Sequence, residues 1–177
     1  MIVETGSGVS DANSYGEQDV ATTIANCKAY ATDRGVDMAT ATDEQVSSWL
    51  VNGTDYIESF SSDFVGTQKT ITQALSWPRT NVVYPDGSPF PDNKIPTDLI
   101  HALYQSVIEQ KNGIVLQPSQ GGSGSGGKFV TFEKVDVIET KYSETIGTGS
   151  QPFLPKVDQL LDGLLTGTMF ALRTVRI

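Results

Sequence analysis

A glycine- and serine-rich run in the second half of the chain constrains the fold more than any other sequence feature. Residues 117–127 end in GGSGSGG, a composition typical of a flexible linker. Before this run, apolar residues recur at helical spacing in three segments. After it, residues 128–143 alternate and are rich in β-branched and aromatic side chains, as strands are. The sequence therefore predicts a helical unit with a β-hairpin attached.

End signals define the two helices of the first half. The first helix is predicted from Asp19, which can cap it, to Asp33, which a glycine soon follows. The second begins at Thr42, which forms a capping-box pattern with Gln45, and runs to about Ser61.

Two further helices and the hairpin turn complete the predicted elements. A third helix runs from about Pro96 to Asn112, because proline suits the first helical position and a glycine follows. A short fourth helix is predicted from about Pro155 to Leu165, and the hairpin is expected to turn near Glu133 to Asp136.

The proline-rich stretch between the second and third helices is expected to be irregular, because its prolines exclude regular structure. Within it, Trp77, Pro78 and Arg79 form the predicted structural anchor. We expect the Trp77 ring to cover the helical core, and Arg79 to make an ion pair or to cap a helix C-terminus.

The predicted fold class is mainly α, a helical bundle of about four helices with an inserted β-hairpin and extended N- and C-terminal arms. The expected divisions are an N-terminal arm (1–18), a helical core (19–116) with its Pro-rich loop (64–93), a Gly/Ser-rich linker (117–127), the β-hairpin (128–145), a final core helix (153–166) and a C-terminal docking tail (167–177). We expect the arm before Tyr15 and the tail after Gly167 to be extended and to become ordered only in an assembly.

Charge is distributed unevenly along the chain. The formal net charge is −9, and residues 1–66 hold eleven acidic and only two basic side chains. Such a surface repels phosphate, so binding to nucleic acid through counterion release is not expected. The last fifteen residues are the exception, with Arg173, Arg176 and no acid.

No residue set suggests catalysis, a cofactor site or a metal site. Cys27 and His101 are the only cysteine and histidine, which excludes an internal disulfide and a thiolate or histidine metal cluster. We expect His101 to be exposed or to cap a helix. The chain is therefore predicted to be non-enzymatic and to bind no cofactor.

The acidic pairs on the second helix are also predicted to be structural. Asp43 with Glu44, and Asp55 with Glu58, are expected on its solvated face without a partner that tunes their pKa. No apolar run approaches the ~18 residues of a membrane span, so no membrane contact is expected.

Two segments are candidate contact surfaces. The C-terminal tail is too apolar for a solvated end and is predicted to dock on a protein partner, although it also fits a frayed end or a strand added to the hairpin. Its docking residues are Met169, Phe170, Leu172, Arg173, Val175, Arg176 and Ile177. The hairpin is predicted to contact a partner protein or a neighbouring subunit through Phe129, Phe132, Val135 and Val137.

In the order of these parts, the chain resembles a phage protein family whose members are often labelled DnaT-like single-stranded-DNA-binding proteins. The matching segments are Asp11-Ala12-Asn13-Ser14-Tyr15, Ala29-Tyr30, Arg34-Gly35, Thr54-Asp55-Tyr56, Ala74 to Arg79, Asp86-Gly87, Ile95-Pro96 and Lys134-Val135. The layout of helices, hairpin, short helix and tail is also similar to the head–tail connector (head-completion) proteins of tailed phages.

The resemblance implies a structural virion protein and a set of partners. The chain would form a ring, commonly of twelve subunits, with the portal above and a tail or nozzle protein below. The C-terminal tail would dock on the portal, and the hairpin would contact the phage tail or a neighbouring subunit. Genomic DNA would pass through the ring during ejection without being bound. The ring would lie in the neck of the virion, and it would assemble in the host cytoplasm. The alternative is a replication accessory that binds single-stranded DNA, which requires a basic groove with stacking aromatic rings. Charge favours the adaptor, because twelve copies would carry a formal charge of −108.

Overall fold

The computed structural model describes residues 1–6, 12–84, 87–117, 132–135, 138–141, 152 and 154–166. Its elements are β1 (Val3–Glu4), β2 (Ser14–Tyr15), α1 (Val20–Asp33), α2 (Asp43–Glu58), β3 (Thr67–Gln68), β4 (Arg79–Thr80), α3 (Thr97–Lys111), β5 (Phe132–Val135), β6 (Ile138–Lys141) and α4 (Pro155–Leu161), which a 3₁₀ turn follows at Asp162–Leu164. The predicted fold class is confirmed: mainly α, with a hairpin between α3 and α4. The chain divides into a helical unit (residues 1–116 and 153–177) and a second unit (residues 117–152).

The first two helices begin where their capping residues predict. The Asp19 side chain accepts a hydrogen bond from the Thr22 backbone N–H at 2.9 Å. Both hydrogen bonds of the capping box between Thr42 and Gln45 are present. These local bonds satisfy amide groups that the first turn of a helix leaves without a partner, which is why the sequence alone locates both starts.

The third helix lies at the centre of the helical unit. It packs against α1, α2 and α4 and is therefore buried on several sides. Its buried side chains are Leu99, Ile100, Ala102, Leu103, Tyr104, Gln105, Ser106, Val107 and Ile108. α2 approaches α3 closely at Gly53, where an added Cβ would lie 2.1 Å from Ser106 Oγ.

The N-terminal segment is extended, as expected, but it packs onto the helical unit. β1 and β2 form a parallel pair in which all four residues are buried. At Gly6, whose φ is +90°, an added Cβ would lie 2.1 Å from the carbonyl oxygen of Asn93. The expectation that the arm before Tyr15 becomes ordered only in an assembly is therefore wrong for residues 1–6 and 12–14.

The proline-rich stretch contains one short ladder that the sequence did not predict. β3 and β4 are antiparallel, with Thr67 opposite Thr80 and Gln68 opposite Arg79. Pro78 precedes β4, so its missing N–H removes no bond from the ladder. Its carbonyl instead accepts a hydrogen bond from the Lys69 N–H at 3.2 Å.

The second unit contains the predicted hairpin, but its turn lies further along the chain than expected. β5 and β6 are antiparallel and pair Val135 with Ile138, so residues 136 and 137 connect them. A turn at 133–136 would have removed this β-branched pair from the ladder. Phe132 and Val135 belong to β5, whereas Phe129 and Val137 lie outside the described residues.

Candidate functional site

A polar network joins the N-terminal segment, the end of α2 and the proline-rich loop. The Tyr15 hydroxyl donates a hydrogen bond to the Glu58 carboxylate and accepts one from the Trp77 backbone N–H at 3.2 Å. The same carboxylate accepts from the Ser76 N–H at 3.1 Å and from the Ser76 hydroxyl at 2.7 Å. Burial, and next the charge of Glu58, raise the pKa of Tyr15 well above its ordinary value. The phenol therefore remains a hydrogen-bond donor.

A second contact fixes the same N-terminal strand along α2. The Thr54 hydroxyl accepts a hydrogen bond from the Tyr15 N–H at 3.4 Å and lies 3.3 Å from the Ser14 hydroxyl. It also donates to the Leu50 carbonyl one turn earlier, at 2.9 Å. Two motif segments, Ser14-Tyr15 and the threonine of Thr54-Asp55-Tyr56, thus meet inside the fold.

Arg79 holds the loop after α2 through backbone carbonyl groups. Its guanidinium donates to Val65 at 2.7 Å, Gly66 at 2.8 Å, and Phe64 and Ser76 at 3.3 Å each. Burial lowers the pKa of Arg79, and the nearby Tyr15 and Glu58 act in the opposite direction. The predicted ion pair or helix cap is therefore wrong, because the loop carbonyls past the end of α2 satisfy the guanidinium donors.

Trp77 is fully buried beside this network. Its ring lies between Phe64 and Phe90 in edge-to-face arrangements, with centroid distances of 5.9 and 6.0 Å. The Trp77–Pro78 peptide bond is cis. The Trp-Pro-Arg motif thus lies in the interior, where it packs the loop onto the helices.

The structure corrects two further sequence expectations. Glu58 is half-buried and hydrogen-bonded, whereas a solvated carboxylate was expected. The missed signal was its spacing, since Glu58 follows the buried Thr54 by one helical turn. His101 is also half-buried, with its ring 5.0 Å from that of Tyr30.

The remaining carboxylates of α2 are exposed, as expected. Asp43 forms an ion pair with Lys28 at 2.7 Å. Among the described residues, neither Glu44 nor Asp55 forms an ion pair. Cys27 is buried, and burial raises the pKa of its thiol to about 12. A thiol in that state is a poor nucleophile at neutral pH.

A buried carboxyl group lies where α4 packs on the helical unit. Asp158 is 2% exposed, and its oxygen lies 3.4 Å from the Tyr56 hydroxyl, which donates to it. Burial raises the pKa of Asp158 and also that of Tyr56. The hydrogen bond joins α4 to α2 inside the fold.

The predicted docking residues of the tail, 169–177, lie outside the described residues, as does the linker 118–127. Among the described residues, no group of three or more His, Cys, Asp or Glu side chains could hold a metal ion. Over the same residues, no helix is long and apolar enough to cross a membrane.

Surface charge is the remaining candidate property. The described part of the helical unit carries seven basic and fifteen acidic side chains, a formal charge of −8. Three of the basic groups are engaged within the fold: Lys28 with Asp43, Arg79 with carbonyls, and Arg34 over the Tyr30 ring at 3.3 Å. The other four are Lys69, Lys94, Lys111 and Lys156, which lie on separate loops and helices.

Comparison with known proteins agrees with the motif order. The family described as "Putative DnaT-like ssDNA binding protein" matches the chain over residues 1–177. Neither a curated protein nor a solved structure matches it. Because the match spans the whole sequence, the chain belongs to this DnaT-like family.

Proposed function

We propose that this protein is a structural component of a tailed-phage virion, a head-to-tail adaptor whose copies form a ring between portal and tail. The ring has twelve members in the connectors that the chain resembles. In this role the protein continues the DNA channel in the virion neck and performs no catalysis. It assembles in the host cytoplasm.

The acidic surface of the helical unit is the observation that carries this proposal. A channel wall must let the genome slide during ejection, so it should repel phosphate. The described helical unit has a formal charge of −8, and its four remaining lysines are separated along the sequence. The motif residues Tyr15, Thr54, Trp77 and Arg79 support the same role, because they are buried in contacts within the fold and do not form a DNA-binding surface.

A second candidate function is binding of single-stranded DNA, which the family description favours. Such binding requires aromatic rings that stack on bases beside a basic groove. Of the aromatic side chains that the structure describes, only Tyr84 is exposed. The described hairpin strands carry two lysines and two glutamates, so they add no net positive charge. Binding would therefore depend mainly on basic residues outside the described part of the chain, which are Lys128, Arg173 and Arg176.

A titration against a fluorescent single-stranded oligonucleotide separates the two functions. The adaptor proposal predicts no measurable binding between about 50 and about 200 mM salt. A protein that binds single-stranded DNA would bind at the lower concentration and lose affinity steeply as the salt concentration rises. Tight, salt-dependent binding that Arg173→Ala with Arg176→Ala abolishes would reject the adaptor proposal in favour of the second function.

Deletion of residues 168–177 tests the docking role of the tail. The full-length chain is expected to bind purified portal rings, and the deletion is expected to abolish binding while leaving the circular dichroism spectrum unchanged. A second variant replaces only Arg173 and Arg176 by Gln; it keeps the apolar docking residues and measures what the two charges contribute to binding. Unchanged portal binding by the deletion variant would refute docking through this segment.

A further inference from the structure

One large apolar side chain of the proline-rich loop is almost fully exposed. Ile71 is 96% exposed and lies in the connection from β3 to β4. A hydrogen bond of 3.1 Å from the Gln73 N–H to the Thr70 carbonyl closes a turn around it. Single exposed apolar residues are ordinary on protein surfaces, so exposure alone indicates no function.

The turn that presents Ile71 is held from inside the fold. The buried Gln73 side chain accepts a hydrogen bond from the Thr70 N–H at 2.9 Å. Its amide nitrogen donates to the carbonyls of Leu75 at 2.7 Å and Pro78 at 3.0 Å. An apolar side chain on a fixed turn binds a partner with little loss of conformational entropy, which is what an interface anchor requires.

The charge around this turn is opposite to that of the rest of the helical unit. Residues 64–84 contain Lys69 and Arg79 and no acidic residue. Arg79 is buried, whereas Lys69 is exposed two positions before Ile71. The turn therefore presents one apolar and one cationic side chain together.

The outer face of α2 carries a shallow groove of complementary character. The groove has a volume of about 270 Å³ and is lined by Met1, Asn13, Ser47, Ser48, Val51 and Asn52. Pockets for small molecules usually measure about 300–1,000 Å³, so this groove suits a few side chains better than a ligand. Glu44 precedes Ser48 by one helical turn and Asp55 follows Val51 by one turn, so exposed carboxylates lie at both ends.

We infer that the turn of one copy docks in the α2 groove of a second copy. Ile71 would pack against Met1 and Val51, and Lys69 would pair with Glu44 or Asp55. This inference rests on the proposed ring and names the contact that closes it. The two surfaces are different parts of the chain, so the contact is heterologous and can repeat from subunit to subunit around a ring.

Mixed disulfide formation tests the contact directly. One full-length chain carries Ile71→Cys and the other Ser48→Cys; the native Cys27 is buried and does not compete. Under mild oxidation the mixture is expected to form a disulfide that joins position 71 of one chain to position 48 of the other, identified by peptide mass spectrometry. The control mixture uses Val115→Cys, at another exposed apolar position, in place of Ile71→Cys and is expected to give no such disulfide.

Substitutions at the contact provide a second test, in which sedimentation velocity over a range of protein concentrations measures self-association. Ile71→Asp is expected to weaken self-association at least about tenfold, as loss of an anchor does, whereas Val115→Asp leaves it unchanged. Lys69→Glu weakens it too, and adding Glu44→Lys and Asp55→Lys to Lys69→Glu restores it.

The outcomes separate this inference from the proposed function. The contact is overturned if the wild-type chain stays monomeric and the Ile71→Cys and Ser48→Cys chains form no mixed disulfide. It is also overturned if Ile71→Asp leaves assembly intact. Portal binding by the same samples is measured independently. If binding persists while the contact fails, only the inference is rejected, whereas absent portal binding counts against the adaptor function itself.

Discussion

At the scale of single residues, a buried network of hydrogen bonds joins distant parts of the chain. Tyr15 and Glu58 lie 43 positions apart in sequence and are hydrogen-bonded in the fold. Through Ser76 and Trp77, the same pair binds the backbone of the proline-rich loop. A buried hydroxyl in this position matters because its loss leaves other buried groups without a partner.

Replacing Tyr15 by Phe tests this network. The substitution removes the acceptor of the Trp77 N–H and one donor to Glu58, so we expect a loss of about 1–3 kcal/mol in the free energy of unfolding. Urea unfolding followed by tryptophan fluorescence measures it. The matched control, Tyr84→Phe at an exposed ring, should change stability by less than about 0.5 kcal/mol. Equal effects of the two substitutions would contradict a structural role for the network.

Asp158 gives the fold a pH dependence of defined sign. Burial raises its pKa in the folded state, so the folded chain holds this proton at pH values where the unfolded chain has lost it. Stability conferred by the protonated carboxyl is therefore lost as pH rises from about 4, the unfolded pKa, and the loss is complete above the folded pKa.

Asp158→Asn should remove this dependence and keep an acceptor for the Tyr56 hydroxyl. Urea titrations between about pH 4 and 7 measure the free energy of unfolding of both proteins. The value for the variant should increase relative to that of the wild type as pH rises. Asp55→Asn, at an exposed position, is the control. A difference between Asp158→Asn and wild type that stays constant with pH would show that this carboxyl does not titrate as described.

At the scale of elements, α2 and α3 approach each other closely where Gly53 lies opposite Ser106. A Cβ at position 53 would lie 2.1 Å from Ser106 Oγ and 2.9 Å from Leu103 Cδ1. Glycine lowers helix propensity, so its presence inside α2 costs local stability that the close helix packing offsets.

Gly53→Ala should therefore destabilise the protein, although alanine is the better helix former. We expect a loss of about 1–3 kcal/mol from overpacking, measured by thermal or urea unfolding. Adding Ser106→Ala removes the nearest obstructing atom and should recover part of the loss. Gly163→Ala, where nothing lies within 4 Å of the added Cβ, serves as the control. If Gly53→Ala left the free energy of unfolding unchanged, α2 and α3 would be able to move apart without loss of stability.

At the scale of the whole molecule, the helical unit is built from both flanks of the inserted hairpin. α4 packs against α3, and the loop after α2 bonds to the end of the chain's last described segment. The Val65 N–H donates to the Leu164 carbonyl at 2.9 Å, and the Thr166 N–H donates to the Asp63 carbonyl at 2.6 Å. The helical unit thus has a core of its own.

Replacing residues 118–151 by a short Gly/Ser linker should leave this core folded. Loop-closure entropy changes slowly with loop length, so we expect the unfolding free energy to stay within about 1 kcal/mol of the wild type. Circular dichroism during urea unfolding checks both helix content and cooperativity. Loss of the cooperative transition would show that the second unit is required for the helical unit to fold.

The sequence by itself determined the features that depend on neighbouring residues. The starts of α1 and α2 follow from Asp19 and from the capping box at Thr42, and the helical periods and the hairpin alternation predicted the fold class. Each is governed by hydrogen bonds or spacing within a few residues, which a linear pattern records.

Only the tertiary structure decided how distant segments satisfy one another. Glu58 is solvated in a local view of α2, yet Tyr15 and Ser76 reach it from other parts of the chain. Arg79 finds carbonyls past the end of α2, and the polar N-terminal residues that suggest a free arm pack as β1 and β2. These outcomes depend on which buried donors and acceptors meet after the helices pack, and no local sequence pattern contains that information.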